Sequence, residues 1–203
     1  MARPREFEES IVLDAAVRQF WQYGYEATSV RDLADSMNIT GASLYNAFGD
    51  KRSLYKLSLD HYLETIRERI KRLEEGFSPR QAIVAFLEEI IARSLSDKLR
   101  CGCLLVNAAL EVAPHDSEFQ RIVAKMLVQI EAFFFRCAVA GQKDGTIMKS
   151  QSPEDLAKML LAILLGIRVL ARTRPTRELL QGLVRPVFAL LGDVSSTKSR
   201  TNA

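Results

Sequence analysis

Hydrophobic residues recur three and four positions apart along most of the chain, and almost no stretch alternates at period two. In the first such stretch, Val12, Ala16 and Phe20 are spaced four residues apart and therefore share one face of a helix. Gly24 follows where that helix would stop. The pattern predicts an all-α protein.

Hydroxyl and acidic residues mark the starts of the helices. Ser29 precedes a short second helix, with Asp32 three residues later in an approximate capping box. Thr40 can cap a third helix, "GASLYNAF", which Gly49 ends, and Asp50 can cap a long fourth helix. The predicted positions are a second helix ending near residue 38, helices over 41–48 and 51–75, and helices near 80–96, 101–112, 117–139, 153–172 and 176–191, the last kinked by Pro186.

These elements predict two folded parts and a tail. Residues 1–50 would form a compact three-helix N-terminal domain. The long fourth helix would join it to a larger helical domain over 51–192. Residues 193–203 contain no apolar side chain after Val194, so we expect a disordered tail.

Composition and charge narrow the class of protein only a little. The 203 residues are 48% hydrophobic, which is ample for a buried core. The formal net charge is +3 and the pI about 8.8, below the pI of about 9 typical of strongly basic nucleic-acid-binding domains. Charge alone therefore does not identify the partner.

The sequence gives no sign of a membrane segment, a disulfide framework or a metal. The charged start "MARPREFEES" lacks a signal core, and the longest apolar run, between Lys158 and Arg168, is too short to cross a bilayer. Three cysteines and two histidines argue against disulfides and a structural zinc site. We expect a cytoplasmic protein without cofactor, metal or membrane partner.

The third predicted helix has an unusual front end made of small residues. Two short helices joined by a tight turn are how a helix-turn-helix places its second helix in the major groove of DNA. Small residues would let the helix backbone come close to the DNA, and polar ones could reach base edges and phosphates. Leu44 and Phe48 would face inward, while the DNA-facing set would be Gly41, Ala42, Ser43, Tyr45 and Asn46, with Lys51 placed for a phosphate.

The first 55 residues resemble a known family. The stretch "VLDAAVRQFWQYGYEATSVRDLADSMNITGASLYNAFGDKRSLY" resembles the N-terminal domain of the TetR family of bacterial transcriptional regulators. The match includes "AA...F...GY..TSVRDLA" and "LY..F.DK". The remainder is similar, more weakly, to the effector-binding and dimerisation domain of that family. The resemblance implies a dimeric, sequence-specific DNA-binding regulator.

The resemblance also implies roles for individual residues. It makes Thr28, Ser29 and Thr40 phosphate-contacting caps, Tyr45 a DNA-contacting tyrosine and Lys51 a phosphate lysine. Gly41, Ala42, Ser43 and Asn46 occupy the positions that vary with operator sequence. An asparagine can pair with an adenine edge, whereas glycine and alanine offer only backbone or methyl contact.

Charge in the N-terminal region limits how DNA could be held. Residues 1–60 contain seven Lys and Arg against nine Asp and Glu. Phosphate binding must then come from the placement of Arg31, Lys51 and helix N-termini, because no cationic surface is available. Arg3 and Arg5 could add a mobile arm, or could simply be a solvated basic terminus.

The stretch "LAKMLLAILLGIRVL" is apolar nearly all the way round a helix, so every side must be covered. One side can pack on its own domain, while another packs with the last helix against a second subunit; the alternative is a central helix of a monomer. A homodimer would match a palindromic operator. The candidate interface residues are Leu160, Ile163, Ile167, Leu183 and Val187.

Helices over 80–139 should enclose the pocket for an unidentified small-molecule effector, as the resemblance implies. Candidate residues are Phe134, which could equally be core, and Asn107, which could equally be solvated. Cys101 and Cys103, at a predicted helix start beside Arg100, could be electrophile or oxidant sensors. They could also be small buried hydrophobes.

Two other classes of function would have different signatures. The chain has no glycine-rich phosphate loop, metal-ligand spacing or nucleophile elbow, which argues against an enzyme. A helical adaptor that binds protein would show no operator preference. Within the leading class we expect a repressor rather than an activator, because effector binding that spreads the two reading helices releases DNA. The sequence itself does not show the sign of regulation.

Overall fold

The computed structural model describes residues 9–192, and within that range all regular structure is helical. The all-α prediction is confirmed. Arg3, Arg5 and the predicted tail over 193–203 lie outside the described residues. The helices are α1 (Glu9–Tyr23), α2 (Val30–Ser36), α3 (Gly41–Phe48), α4 (Lys51–Gly76), α5 (Pro79–Ser96), α6 (Leu104–Glu111), α7 (Ser117–Asp144), α8 (Pro153–Thr173) and α9 (Arg177–Leu191).

The predicted helix caps are present. The Ser29 hydroxyl accepts the N–H of Asp32, and the Asp32 carboxylate accepts the N–H of Ser29, which completes the capping box of α2. Thr40 caps α3, and Ser152 caps α8 before Pro153. Local hydrogen bonding therefore sets these starts, as expected from the sequence.

The start of α6 differs from the prediction. The helix begins at Leu104, three residues later than predicted, because the preceding backbone is not helical. Arg100 and Gly102 have positive φ angles of 54° and 76°, and Cys103, the N-cap, is extended with φ −138°. The prediction that the helix starts at Cys101 was wrong, since periodicity does not reveal a left-handed backbone.

The chain divides into two compact units. The first extends to Arg67 and includes Cys101–Ala124. Its core holds an aromatic cluster in which the Tyr55 ring lies 4.8 Å from Phe20 and 5.2 Å from Phe119, centroid to centroid. The predicted boundary between residues 50 and 51 coincides with the start of α4, and as a domain boundary it stays a prediction.

The second unit contains Glu68–Arg100 and the chain from Lys125 onward. In it α5 contacts both α8 and α9, and α8 contacts α9. The centroid of the Phe86 ring on α5 lies 5.4 Å from the ring centroids of both Phe133 and Phe134 on α7, and all three rings are buried. Phe134 is therefore a core residue of this unit.

Candidate nucleic-acid interface

A tight turn joins α2 to α3. Asn38 adopts a left-handed conformation with φ 53°, which asparagine tolerates better than most residues. The backbone N–H of Ile39 donates to the carbonyl of Ala34 at 3.0 Å and closes the end of α2. Because Leu33 and Leu44 are fully buried on either side of the turn, the two helices are held at a defined angle.

Helix α3 has two distinct faces. Leu44 and Phe48 are buried, while Ala42, Tyr45 and Asn46 are exposed. Tyr45 is 54% exposed, which is a large fraction for a tyrosine. Packing in the core does not explain this exposure. The three exposed residues follow the i, i+3, i+4 spacing of one helix face and carry no charge. This face can reach another molecule without disturbing the core.

The front of α3 is narrow and polar. The hydroxyl of Thr40 accepts the N–H of Ser43 at 3.1 Å and lies 2.9 Å from the Ser43 hydroxyl. Apart from the adjacent residues and the backbone of α3 itself, no described atom lies within 4 Å of the position that a Cβ would take at Gly41. An approaching backbone or base would therefore meet little steric hindrance here.

Thr28 and Ser29, both predicted phosphate contacts, have different surroundings. Thr28 is 1% exposed, and its hydroxyl donates to the carbonyl of Gly24 at 2.6 Å, so it stabilises the turn after α1. Ser29 is exposed, and its hydroxyl belongs to the capping box. Hydrogen bonds from Ser29 hold the pKa of Asp32 below its ordinary value, so the carboxylate of the capping box stays ionised.

Lys51 lies at the start of α4 and is held against the loop between α1 and α2. Its Nζ lies 4.4 Å from the centroid of the Tyr25 ring and donates to the carbonyl of Glu26 at 3.5 Å. The ammonium is thus positioned by two contacts instead of moving freely. By contrast, the Arg31 side chain is 89% exposed. Its Nε lies 3.8 Å from a carboxylate oxygen of Asp35, in an exposed i,i+4 ion pair.

A carboxylate whose role no sequence pattern indicates stabilises the same loop. Glu111, at the end of α6, accepts the N–H of Glu26 at 2.8 Å. The same carboxylate lies 3.0 Å from where a Cβ would be at Gly24, whose φ is +87°. Glu111 is 85 residues from Glu26 in sequence, so no local pattern could have indicated this contact.

A second missed feature is an ion cluster at the start of α4. Arg52 donates to Asp116 at 2.8 Å and to Glu118 at 2.7 Å, and Lys56 also contacts Glu118. The cluster connects α4 to the turn before α7 within the first unit. Hydrogen bonds from Arg52 lower the pKa of Asp116 to about 2.

Three of the effector candidates cluster in the first unit. The Asn107 side chain is buried and donates to the carbonyl of Cys101 at 3.2 Å, while Cys101 is half-buried. The sulfur of buried Cys103 lies 3.4 Å from the Tyr62 hydroxyl. Phe134 belongs to the second unit, where its ring packs against Phe86. The third cysteine, Cys137, is buried, which raises the pKa of its thiol to about 12.

The predicted dimer residues differ in exposure. Leu160, Ile167 and Val187 are buried inside the second unit, whereas Ile163 and Leu183 are half-buried. Beside them α8 and α9 expose a set of small and apolar residues, which we name the open α8/α9 face. Its members are Ala162, Val169, Gly182, Pro186 and Leu190, together with half-buried Leu165, Gly166 and Leu179.

In the N-terminal three-helix segment, a tight turn joins α2 to α3, and α3 buries one face while it exposes the other. These features define a helix-turn-helix protein. Comparison with known proteins agrees. Residues 12–57 match the model of bacterial regulatory proteins of the tetR family, and residues 79–185 match the tetracyclin repressor-like C-terminal domain. The chain belongs to the TetR family of transcriptional regulators.

Individual relatives match over nearly their whole length. YezE, an HTH-type transcriptional regulator of Bacillus subtilis (strain 168), is 31% identical over 94% of this chain and 100% of its own. ComR, an HTH-type transcriptional repressor of Escherichia coli (strain K12), is 26% identical over 93% and 90%. A CifR cysteine mutant solved with 26-bp operator DNA is 33% identical, with a TM-score of 0.80 over 92% of this chain and 98% of its own.

These relatives are transcriptional regulators and not enzymes, in agreement with the prediction from the sequence. None of the helices within residues 9–192 has the length and apolarity needed to cross a bilayer.

Proposed function

We propose that this protein is a homodimeric repressor that binds a palindromic DNA operator through α3 and releases it when a small-molecule effector binds. The observation that carries the proposal is the two-faced geometry of α3. The face of α3 that packs on the core is buried. The opposite face presents Tyr45 and Asn46, and the first residue of the helix carries no Cβ that would obstruct an approaching molecule. Such a helix fits the major groove N-terminus first.

Base reading would fall to the exposed face of α3. The Asn46 amide can both donate and accept, as an adenine edge requires, and Ala42 can contact a thymine methyl. Tyr45 would contact DNA through its hydroxyl or its ring. The 33% identical CifR variant was solved with operator DNA, which supports DNA binding by this chain.

Phosphate binding would depend on a few well-placed groups. Lys51 is positioned by Tyr25 and Glu26, and Arg31 is exposed to solvent beside Asp35. The exposed caps at Ser29 and Thr40 begin helices whose N-termini attract anions. The side chain of Thr28 is not part of this set, because it is buried.

The open α8/α9 face supports the dimer. Apart from adjacent residues and the backbone of the same helix, no described atom lies within 4 Å of a Cβ placed at Gly166 or Gly182, so a second helix pair could approach closely there. Val169 is 46% exposed and Leu190 38%, which is unfavourable in a monomer. A two-fold axis through this face would pair two α3 helices with the two halves of a palindrome.

Repression and its relief rest on the relatives and on linkage. ComR is a repressor by name, as is DhaR of Mycobacterium sp. (strain GP1). An effector that binds the DNA-free dimer better than the bound one must weaken operator binding by the same factor. Cys101, the half-buried thiol of the first unit, stays a candidate for an electrophilic effector.

The test begins with the full-length protein and sheared genomic DNA from its source at physiological salt, followed by sequencing of the retained fragments. We expect a few near-palindromic sites. On the recovered duplex, Tyr45→Ala and Lys51→Ala should each weaken binding roughly tenfold, and Lys51→Ala should reduce the dependence of log affinity on log salt by about one.

The matched control is Tyr23→Ala. Tyr23 is 53% exposed on α1 and Tyr45 is 54% exposed on α3, so both changes remove the same side chain at the same exposure. Tyr23→Ala should leave DNA affinity unchanged. Equal losses in the two tyrosine variants, or no loss in either, would overturn the assignment of α3 as the reading helix.

A further inference from the structure

A groove of about 700 Å³ lies between α5 and α9 in the second unit. Cavities of roughly 300 to 1,000 Å³ hold organic ligands of drug size. Its floor is apolar: Ile91 and Val184 are buried, and Phe188 is half-buried. None of the predicted effector residues lines it, so it is distinct from the predicted effector site.

Charge at the rim of the groove indicates the kind of ligand. Arg177 and Arg185 line it from α9 and Glu88 from α5, which leaves one cation in excess. Neither arginine has a carboxylate partner among the described residues. Arg177 is also the first residue of α9, where the helix dipole adds positive potential.

The spacing of the polar groups suits an elongated molecule. Arg177 and Arg185 are eight residues apart on one helix, which corresponds to about 12 Å along its axis at 1.5 Å per residue. Gln181 lies between them and also lines the groove. An anionic head group can therefore bind an arginine while an apolar tail covers Ile91 and Val184.

We propose that this groove binds an amphipathic organic monoanion, such as a medium-chain carboxylate, and that this anion is the effector. The inference rests on the proposed function for its regulatory part only. The groove itself follows from the side chains of α5 and α9.

The position of α9 explains how a ligand there would act. Gln181 faces the groove, and Leu190 lies on the open α8/α9 face. The two are nine residues apart, or about two and a half turns, so they point to opposite sides of the helix. A ligand inserted between α5 and α9 displaces the helix that carries the dimer contact on its other side, and this favours a different arrangement of the two subunits.

The binding test uses the full-length protein and dansyl-undecanoate, whose fluorescence rises in an apolar site, with the neutral dansyl-undecanamide beside it. We expect saturable binding of the carboxylate at one site per chain and at least fivefold weaker binding of the amide. The double variant Arg177→Gln/Arg185→Gln should weaken carboxylate binding roughly tenfold and leave amide binding unchanged.

Two further variants separate the groove from general hydrophobic binding. Ala92→Trp fills the groove from an exposed position on α5 and should abolish binding of the carboxylate. Arg93→Gln removes a charge from the exposed neighbour of Ala92, which does not line the groove, and should change nothing. Binding that persists in Ala92→Trp, or that ignores both arginines, overturns the proposal.

The regulatory part is tested on the operator duplex recovered as described above. Dansyl-undecanoate should weaken DNA binding by the unsubstituted protein at least fivefold and have no effect on Ala92→Trp. Binding of the probe without any change in DNA affinity overturns the effector role. Probe binding by a protein that retains no DNA refutes the proposed function and leaves the groove assignment standing.

Discussion

At the residue scale, the loop between α1 and α2 is held by two side chains that come from distant parts of the sequence. Glu111 accepts a backbone N–H from Glu26, and Lys51 donates to the carbonyl of the same residue. Opposite charges therefore hold the two polar groups of one peptide segment. This loop precedes α2, so its geometry positions the first helix of the helix-turn-helix.

This arrangement leaves no room for a side chain at Gly24. We expect Gly24→Ala to lower the free energy of unfolding by about 1–2 kcal/mol from its positive φ alone, with a further loss from the Glu111 carboxylate 3.0 Å from the new Cβ. Urea denaturation monitored by circular dichroism measures this change.

Gly76→Ala is the control for Gly24→Ala. Gly76 ends α4, and apart from adjacent residues and the backbone of α4 no described atom lies within 4 Å of its Cβ position. Alanine there should be neutral or stabilising by up to about 1 kcal/mol. If Gly24→Ala were as stable as Gly76→Ala, the Glu111 contact would not constrain the loop.

At the scale of elements, the ion cluster joins α4 to the turn before α7. Arg52 holds two carboxylates, one of which, Asp116, also accepts the N–H groups of Glu118 and Phe119. The carboxylate thus acts as the cap of α7 and as the partner of α4 at once. A displacement of either element is therefore transmitted to the other through Asp116.

The pH dependence of stability should report this link. Because Arg52 lowers the folded-state pKa of Asp116 to about 2, the stabilisation is present above the ordinary pKa of about 4 and is lost as pH falls towards 2. Asp116→Asn should therefore be less stable than the unsubstituted protein at neutral pH. The difference in urea midpoint should shrink between pH of about 4 and 2.

A double-mutant cycle with Arg52→Gln separates the direct contact from other effects. If Asp116→Asn and Arg52→Gln act through their contact, the double variant should lose less stability than the two single losses added together. Full additivity would mean that the pair does not link α4 to α7.

At the scale of the whole molecule, the open α8/α9 face should determine the oligomeric state. We expect Val169→Glu to convert the dimer to a folded monomer, because a carboxylate would be buried without a partner in the interface. Sedimentation velocity measures the change in mass, and helical content by circular dichroism should stay the same.

The control is Val128→Glu, since Val128 is 64% exposed on α7 and so even more accessible than Val169. That variant should stay dimeric and keep its operator affinity, whereas Val169→Glu should bind the palindromic duplex much more weakly. A dimer that survives Val169→Glu would exclude the open α8/α9 face as the interface.

The sequence alone determined the features that depend on neighbours along the chain. Helical spacing predicted α3 and the burial of Leu44 and Phe48, and cap chemistry predicted the starts at Ser29 and Thr40. Exposure of Tyr45 followed from the same spacing. These are local because a helix is built from hydrogen bonds three to four residues apart.

Only the tertiary structure decided the features that join distant residues. It buried Thr28 on Gly24, brought Glu111 to Glu26 and Asp116 to Arg52, and turned the backbone before α6 left-handed at Arg100. It also packed Phe134 against Phe86 in the second unit and left a groove between α5 and α9. Side-chain burial and charge pairing depend on which helices meet, and periodicity along one helix carries no information about its neighbour.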